Sequence, residues 1–440
     1  MKIPSKGQKP GQVIESMQRM REGDADWHGG RTWALVYHAS DEHSRLIKDA
    51  YCMYFSENGL SPLAFPSLKR FETEVIAMAA DMLGGSEEAV GSLTSGGTES
   101  ILMAVKSARE KARAERPDVT RPEMVIPETA HPAFEKAAHY LDVKAVHIPV
   151  GEDFRADVEA TRSAINDNTI LMVGSAPQFP QGVVDPIPEL AAVAKERGIP
   201  FHVDACLGGF ILPWLRKLGY SIPEFDFSVD GVTSISADIH KYGFAAKGAS
   251  CILYRDDALR KHQYFAYADW CGGIYVSPSM TGTRPGGAIA AAWATLQHFG
   301  QEGYLQLAKN IMDTSEKLKA GIAKIPGLRI LGDPVMGVLA FDLEKGNIFV
   351  LGDEMEKRGW HLDRVQSPPA LHLMVTPPHA DIVDSFLQDL RETSAEVSAR
   401  EDEGVAGMAA VYGMVAALPD PSQAKEFAVD FLNQLMRPGP

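Results

Sequence analysis

The chain has 440 residues, 45% of them hydrophobic and 23% charged, with a formal net charge of −15 at pH 7. That length exceeds one small core, so a large domain and a smaller one are expected. The acidic balance argues against a general binder of nucleic acid or anionic membranes, and any anionic ligand must be held by a local pocket.

In chain order, the N-terminus lacks the apolar core of a signal peptide. Residues 1–55 are mixed and polar and read as an arm. Helical spacing covers 72–83, and a glycine turn at Gly96-Gly97 opens a second helix over 99–115. Short apolar strands follow at 124–126, 145–148, 170–173, 201–203, 231–235 and 251–254, with helices predicted over 131–141, 155–165 and 187–197 between several of them. Such alternation implies an α/β domain with a mostly parallel sheet and helices on both faces, at about 56–300. A long helix over 304–324 leads into a smaller α/β unit, 301–440, with strands at 338–341 and 371–375 and a helix over 381–397. Residues 404–417 are rich in Gly, Ala and Met and suggest a close-packed helix or a lid. The longest apolar stretch, 205–215, is broken by Gly208, Gly209 and Pro213 and falls far short of a membrane span. Cys52, Cys206, Cys251 and Cys271 are scattered with no CxxC pair, so reduced thiols in a cytoplasm and no metal site are expected.

Four stretches carry chemistry. Thr94-Ser95-Gly96-Gly97-Thr98-Glu99-Ser100 precedes a helix, where glycines, hydroxyls and unpaired N–H groups suit a phosphate, although Ser/Thr-x-x-Glu is also a capping signature. His131 opens the next helix, as an acid–base group, a cover for a flat ring, or a simple cap. Asp204 ends a predicted strand, where a buried carboxylate needs a cationic partner such as a pyridinium nitrogen; an N-cap role is the plainer reading. Ala205 beside it is small enough to lie under a ring. Lys241, in Asp238-Ile239-His240-Lys241, follows a buried strand. There it is either a solvated surface lysine or an amine whose burial lowers its preference for charge and frees it for Schiff-base chemistry. Their joint order at strand ends favours a pyridoxal-phosphate site.

At these residues the chain resembles the sphingosine-1-phosphate lyases of the fold-type I, aspartate-aminotransferase-like, pyridoxal-phosphate superfamily. The matching stretches are TSGGTESILMAVK (94–106), APQFPQGVVDPIPE (176–189), HVDACLGGF (202–210), GVTSISADIHKYG (231–243), DWCGGIYVSP (269–278) and GTRPGG (282–287). The likeness spans about residues 30–440, including Tyr412-Gly413-Met414. It implies that Lys241 forms the Schiff base, His131 stacks on the ring and Asp204 pairs with the pyridine nitrogen, while Gly97, Thr98 and His240 hold the cofactor phosphate. It further implies a homodimer with shared sites, Thr283 reaching the partner's cofactor, and Tyr37, Asn58 and Lys247 around the substrate phosphate. Where the family pattern has a histidine in that pocket, this sequence carries Ser61, which can hydrogen-bond but adds no positive charge. Membrane-bound relatives carry an N-terminal transmembrane helix, and its absence points to the soluble bacterial form.

The implied reaction is a retro-aldol cleavage of a phosphorylated long-chain base to a long-chain aldehyde and phosphoethanolamine. Freed Lys241, a histidine or a phosphate oxygen could serve as base, and Phe179 and Phe210 could line a channel for the aliphatic tail. An L-amino-acid decarboxylase would use the same cofactor residues, with Lys247 or Arg284 recruited for the substrate carboxylate. A non-catalytic binding protein is disfavoured by the intact Lys241.

Overall fold

The computed structural model describes residues 2–400, 407–410, 412 and 421–437. The short apolar runs of the first half form β1 (Val90–Thr94), β2 (Glu123–Pro127), β3 (Lys144–Ile148), β4 (Thr169–Ser175), β5 (Phe201–Asp204), β6 (Val232–Ala237) and β7 (Ser250–Tyr254). Among the described residues they make one sheet in the order β1-β7-β6-β5-β4-β2-β3. β2 to β6 run parallel, and β7 is antiparallel to both β6 and β1. Every residue of β2, β4, β5 and β7 is buried, as expected of strands covered on both faces. β1 was not foreseen, because Val90-Gly91-Ser92 lacks an apolar run. Gly231, read as strand, is instead a turn residue at φ +102°.

The crossover helices are α4 (Gly97–Glu115), α5 (Ala133–Leu141), α6 (Val158–Ala164) and α7 (Ile187–Glu196), which extends the first predicted range by two residues and trims the other three by one to four. They follow α1 (Pro10–Met20), α2 (Asp41–Met53) and α3 (Pro66–Met82). Pro66 sits at the first position of α3, where its missing N–H costs nothing, so the helix begins earlier than its apolar spacing suggested. α8 (Leu212–Lys217) and α9 (Asp257–Arg260) are short, and a hairpin of β8 (Phe265–Tyr267) and β9 (Tyr275–Ser277) projects after them.

The helix expected over 304–324 is the second half of α10 (Gly286–Ile322), which is interrupted at Gly300, φ 52°. Its first half escaped notice because residues 286–292 are all buried and show no polar face to set a helical period. That half packs against α2 and α3. Beyond it, β10 (Leu328–Ile330), β11 (Val338–Leu343), β12 (Asp363–Gln366) and β13 (Pro369–Met374) form a wholly antiparallel sheet in the order β10-β11-β13-β12. α11 (Ile348–Lys357) and α12 (Val383–Ser398) pack against one another beside this sheet. Most of the segment 404–417, read as a helix or lid, lies outside the described residues, as do Gly413 and Met414.

The N-terminal segment is more than an arm. Trp33 is fully buried and stacks on His379 with ring centroids 4.0 Å apart. Its N–H donates to His361 O, and its carbonyl accepts from Met374 N. Residues 32–37 are thereby fixed along the C-terminal sheet, which delivers Tyr37 to the edge of the large sheet's crevice. Among the described residues no helix is long and apolar enough to cross a membrane.

Candidate active site

The carboxyl ends of β2, β5 and β6 and the turn after β1 open on one edge of the sheet. β3 and β4 flank β2 on opposite sides, so the strand order reverses there, and such a reversal is where open α/β sheets form their crevice. A cavity of about 330 Å³ lies at that edge, lined by Gly97, Thr98, His131, Asp204, Cys206, Asp238, His240 and Lys241 among others. A smaller cavity adjoins it, sharing His131, Asp204 and Lys241 and bounded by Phe179.

Lys241 is paired. Its Nζ lies 3.0 Å from Asp238 Oδ2. Burial, the largest single influence, works to lower the lysine pKa, but the neighbouring acidic groups together, the Asp238 carboxylate foremost, hold the value above that of an ordinary lysine. The expectation of an amine freed from its proton by burial is therefore corrected, since the neighbouring carboxylate keeps the ammonium charged. For Asp238, burial works to raise the pKa, while Lys241 and His240 hold it below the ordinary carboxylate value. Asp238 Oδ1 is buried without a hydrogen-bond partner. A Cβ on Gly97 would lie 2.7 Å from Asp238 Oδ2 and 2.9 Å from Cys206 Sγ, so only glycine leaves this floor clear.

Asp204 Oδ1 accepts from Cys206 N at 3.0 Å and Ser236 Oγ at 3.3 Å. Ser236 is in turn held by His202 Nε2 at 3.1 Å, and burial pushes His202 down to about 4, which keeps it neutral. Asp204 Oδ2 accepts no hydrogen bond among the described residues. Ala205, expected beneath a ring, is fully buried and its N–H donates to Ser236 O, leaving Cys206 as the cavity wall.

Both cavity histidines are oriented by the backbone. His131 Nδ1 accepts from Ala133 N at 3.1 Å, and His240 Nδ1 accepts from Ala249 N at 3.3 Å. Burial lowers both pKa values, so each ring is neutral and carries its proton on Nε2. His131 therefore caps its helix and offers a donor as well. At the head of α4, Glu99 Oε2 accepts from Ser95 N at 2.7 Å and its Oε1 from Met280 N at 2.8 Å. That braces the turn and leaves the first N–H groups of α4 facing the cavity.

Tyr37 and Lys247 line neither cavity, but lie beside this group, close enough for Lys241 to act on both. Lys247 Nζ is 4.9 Å from the Tyr37 ring centre, and Tyr37 packs edge-on against Tyr242. Lys247 is exposed as a residue, but partial desolvation of its ammonium in this crevice, with Lys241 nearby, pulls it down to about 8. Burial raises the Tyr37 phenol, whose O–H points to Met374 Sδ at 3.0 Å.

Asn58, Ser61 and Thr283 are elsewhere. None lines either cavity. Asn58 Nδ2 donates to Thr283 Oγ1 at 3.3 Å, and Ser61 and Thr283 are exposed. Arg284 is engaged with both Glu72 oxygens at 2.6 and 2.9 Å and with Gly59 O, so it is not free to receive a substrate carboxylate. Phe210 belongs to the core, at 2% exposure, while Phe179 borders the smaller cavity and stacks on His372. Sequence reasoning passed over Asp238, three residues from Lys241, and the His202–Ser236 pair behind Asp204. The signal for the pair was present, since His202 and Asp204 alternate along β5 as Ser234 and Ser236 do along β6, which puts each pair on one face; in the register His202 faces Ser234 and Asp204 faces Ser236.

A lysine, an aspartate and a glycine-opened helix converging at the strand ends of such a sheet define a pyridoxal-phosphate enzyme of fold type I. A family model described as the pyridoxal-dependent decarboxylase conserved domain matches residues 2–344. The sphingosine-1-phosphate lyase of Arabidopsis thaliana is 47% identical over 430 residues, covering 96% of this chain and 79% of that protein. Sphingosine-1-phosphate lyase 1 of Rattus norvegicus is 42% identical over 441 residues, covering 100% and 77%. The solved sphingosine-1-phosphate lyase of Burkholderia pseudomallei superposes with a TM-score of 0.91 at 38% identity, over 100% of this chain and 98% of that one. Glutamate decarboxylase of Lactobacillus brevis matches 92% of this chain and 96% of its own at a TM-score of 0.79 and 20% identity, which speaks to the fold alone. The chain belongs to the pyridoxal-phosphate-dependent decarboxylase family and, within it, to the sphingosine-1-phosphate lyases.

Proposed function

We propose that this protein cleaves phosphorylated sphingoid bases, such as sphingosine 1-phosphate, between C2 and C3, giving a long-chain aldehyde and phosphoethanolamine. The convergence of Lys241, Asp204 and the open N-terminus of α4 on one cavity carries this reading. The residues present suit pyridoxal phosphate. Lys241 would hold its aldehyde carbon, and Asp204, with Oδ2 unused, its ring nitrogen. The N–H groups of Gly97 and Thr98, with the Nε2–H of His240, would hold its phosphate. His131 would cover a ring face. When bound, the cofactor supplies an electron sink for the carbanion left at C2.

The rest falls to the chain's own groups. The C3 hydroxyl must lose a proton and C2 must gain one. His131 and His240 are donors at Nε2, so neither is arranged to take the hydroxyl proton there, and an oxygen of the substrate's own phosphate would accept it. Lys241, charged beside Asp238, suits the return of a proton to C2. Lys247 and the Tyr37 hydroxyl would hold the substrate phosphate by charged and neutral hydrogen bonds. Phe179 would meet the start of the aliphatic tail.

Asn58, Ser61 and Thr283 would serve the site of a second copy. In support, they lie outside this chain's own cavity. The hairpin of β8 and β9 also exposes Phe265, Tyr267, Trp270, Ile274 and Val276, an apolar surface suited to burial in a homodimer.

The test is a product assay with a phosphorylated long-chain base, its dephosphorylated form and a panel of L-amino acids. Aldehyde from the first alone is expected, and Lys241→Ala should abolish both turnover and the bound cofactor's colour. Carbon dioxide from an amino acid would replace this reading with decarboxylation.

A further inference from the structure

We propose that His28, His38 and Asp41 form a binding site for one divalent transition-metal ion of the zinc type. No cysteine pattern announces it, and the three residues meet only where the segment before α2 folds back against the first turn of that helix. Their ligand atoms all lie within 4.8 Å of one another. His38 Nε2 is 3.6 Å from Asp41 Oδ1. An ion bound at roughly 2.0–2.1 Å from nitrogen and oxygen would set such atoms roughly 3.4 Å apart in a tetrahedron. Small rotations of His28 and Asp41, both exposed, would close the difference.

The imidazoles are already oriented. His38 Nδ1 is hydrogen-bonded to Ser44 Oγ at 3.2 Å, which turns Nε2 toward the cluster. A metal-binding histidine characteristically has its second ring nitrogen held in this way. Trp27 stacks on His28 with centroids 3.6 Å apart at 25°, and the His28 and His38 rings meet edge-on at 5.3 Å. Two imidazoles and one carboxylate select zinc or its neighbours over calcium or magnesium. Three protein ligands leave a coordination position open to water or an exchangeable ligand. The N-terminal end of α2 and Lys48 nearby oppose the added charge, so binding should be reversible rather than locked. His38 directly follows Tyr37, and an ion gripping His38 would anchor the segment that carries Tyr37 to the catalytic cavity.

The test is equilibrium dialysis of chelator-treated holoenzyme against Zn²⁺, with bound metal counted by atomic emission. The variants are His28→Gln, Ser44→Ala and a Cys52→Ser/Cys271→Ser double variant that removes the exposed thiols. The wild type and the thiol variant should bind one ion per chain. Ser44→Ala should weaken binding about tenfold and His28→Gln by at least that much. His28 is exposed, so its replacement leaves the fold intact. Absence of stoichiometric binding, binding unchanged in His28→Gln, or binding lost in the thiol variant would each overturn the proposal.

Discussion

Replacing Asp238 by Asn should change the proton affinity of Lys241 more than any other single substitution. The two groups are 3.0 Å apart, and the Asp238 side chain is 1% exposed. At that distance and an effective dielectric constant near 20, a unit charge pair is worth about 5 kcal/mol, between three and four powers of ten in the protonation constant. Asparagine keeps the shape and removes the charge. Burial, which already opposes the ammonium, would then lose its main opponent and bring the lysine well down from its present raised value. The assay is covalent capture of pyridoxal phosphate by cofactor-free enzyme, trapped with borohydride and followed against pH. Only the neutral amine attacks. The wild-type rate should climb through the whole alkaline range, whereas Asp238→Asn should level off at a markedly lower pH. The substitution should also cost about 3 kcal/mol or more of stability at neutral pH, because it leaves an uncompensated buried charge. The sign follows from the paired shifts. Asp238 is depressed, so its contribution is present above the ordinary carboxylate range and fades as pH falls through the lowered value. Lys241 is raised, so its share is complete below the ordinary lysine value and fades as pH rises through the raised one. Coincident capture profiles for the two proteins would refute the assignment of Asp238 as the group that sets the charge on Lys241.

Lys247 is held at about 8, so the free enzyme should lose a cation as pH rises through that value, and KM for the phosphorylated substrate should increase there. In Lys247→Met this inflection should vanish, and KM should be higher throughout. Ser61→His should lower KM for the phosphorylated base about tenfold by adding one charge-assisted hydrogen bond, measured at a pH below the histidine pKa. An unchanged KM would mean that residue 61 does not face the phosphate of either copy. Gly97→Ala should fold but bind pyridoxal phosphate poorly, because the new methyl group would press on Asp238 and Cys206. Absorbance titration with the cofactor would measure the loss.

The features legible along the chain share one property, which is that their meaning is local. The turn at Gly96-Gly97, the strand end at Asp204 and the turn holding Lys241 are each announced within a dozen residues, because strand, turn and helix start are encoded by neighbours in sequence. Their meeting in one cavity follows from right-handed parallel topology, which brings successive strand carboxyl ends to the same edge. The sequence also carried the composition of the buried strands and the apolar face of most helices. The tertiary structure alone decided the charge on Lys241, since which carboxylate meets an amine depends on the path of a four-residue turn. It alone tied Trp33 to His379 and so brought Tyr37 to the crevice, a pairing across more than 340 positions that no periodicity reports. It decided as well that Asn58 and Thr283 stand together apart from Lys241, and that His28, His38 and Asp41 converge. Contacts of this kind are fixed by packing against distant elements, and side-chain burial and direction exist only after the chain has folded.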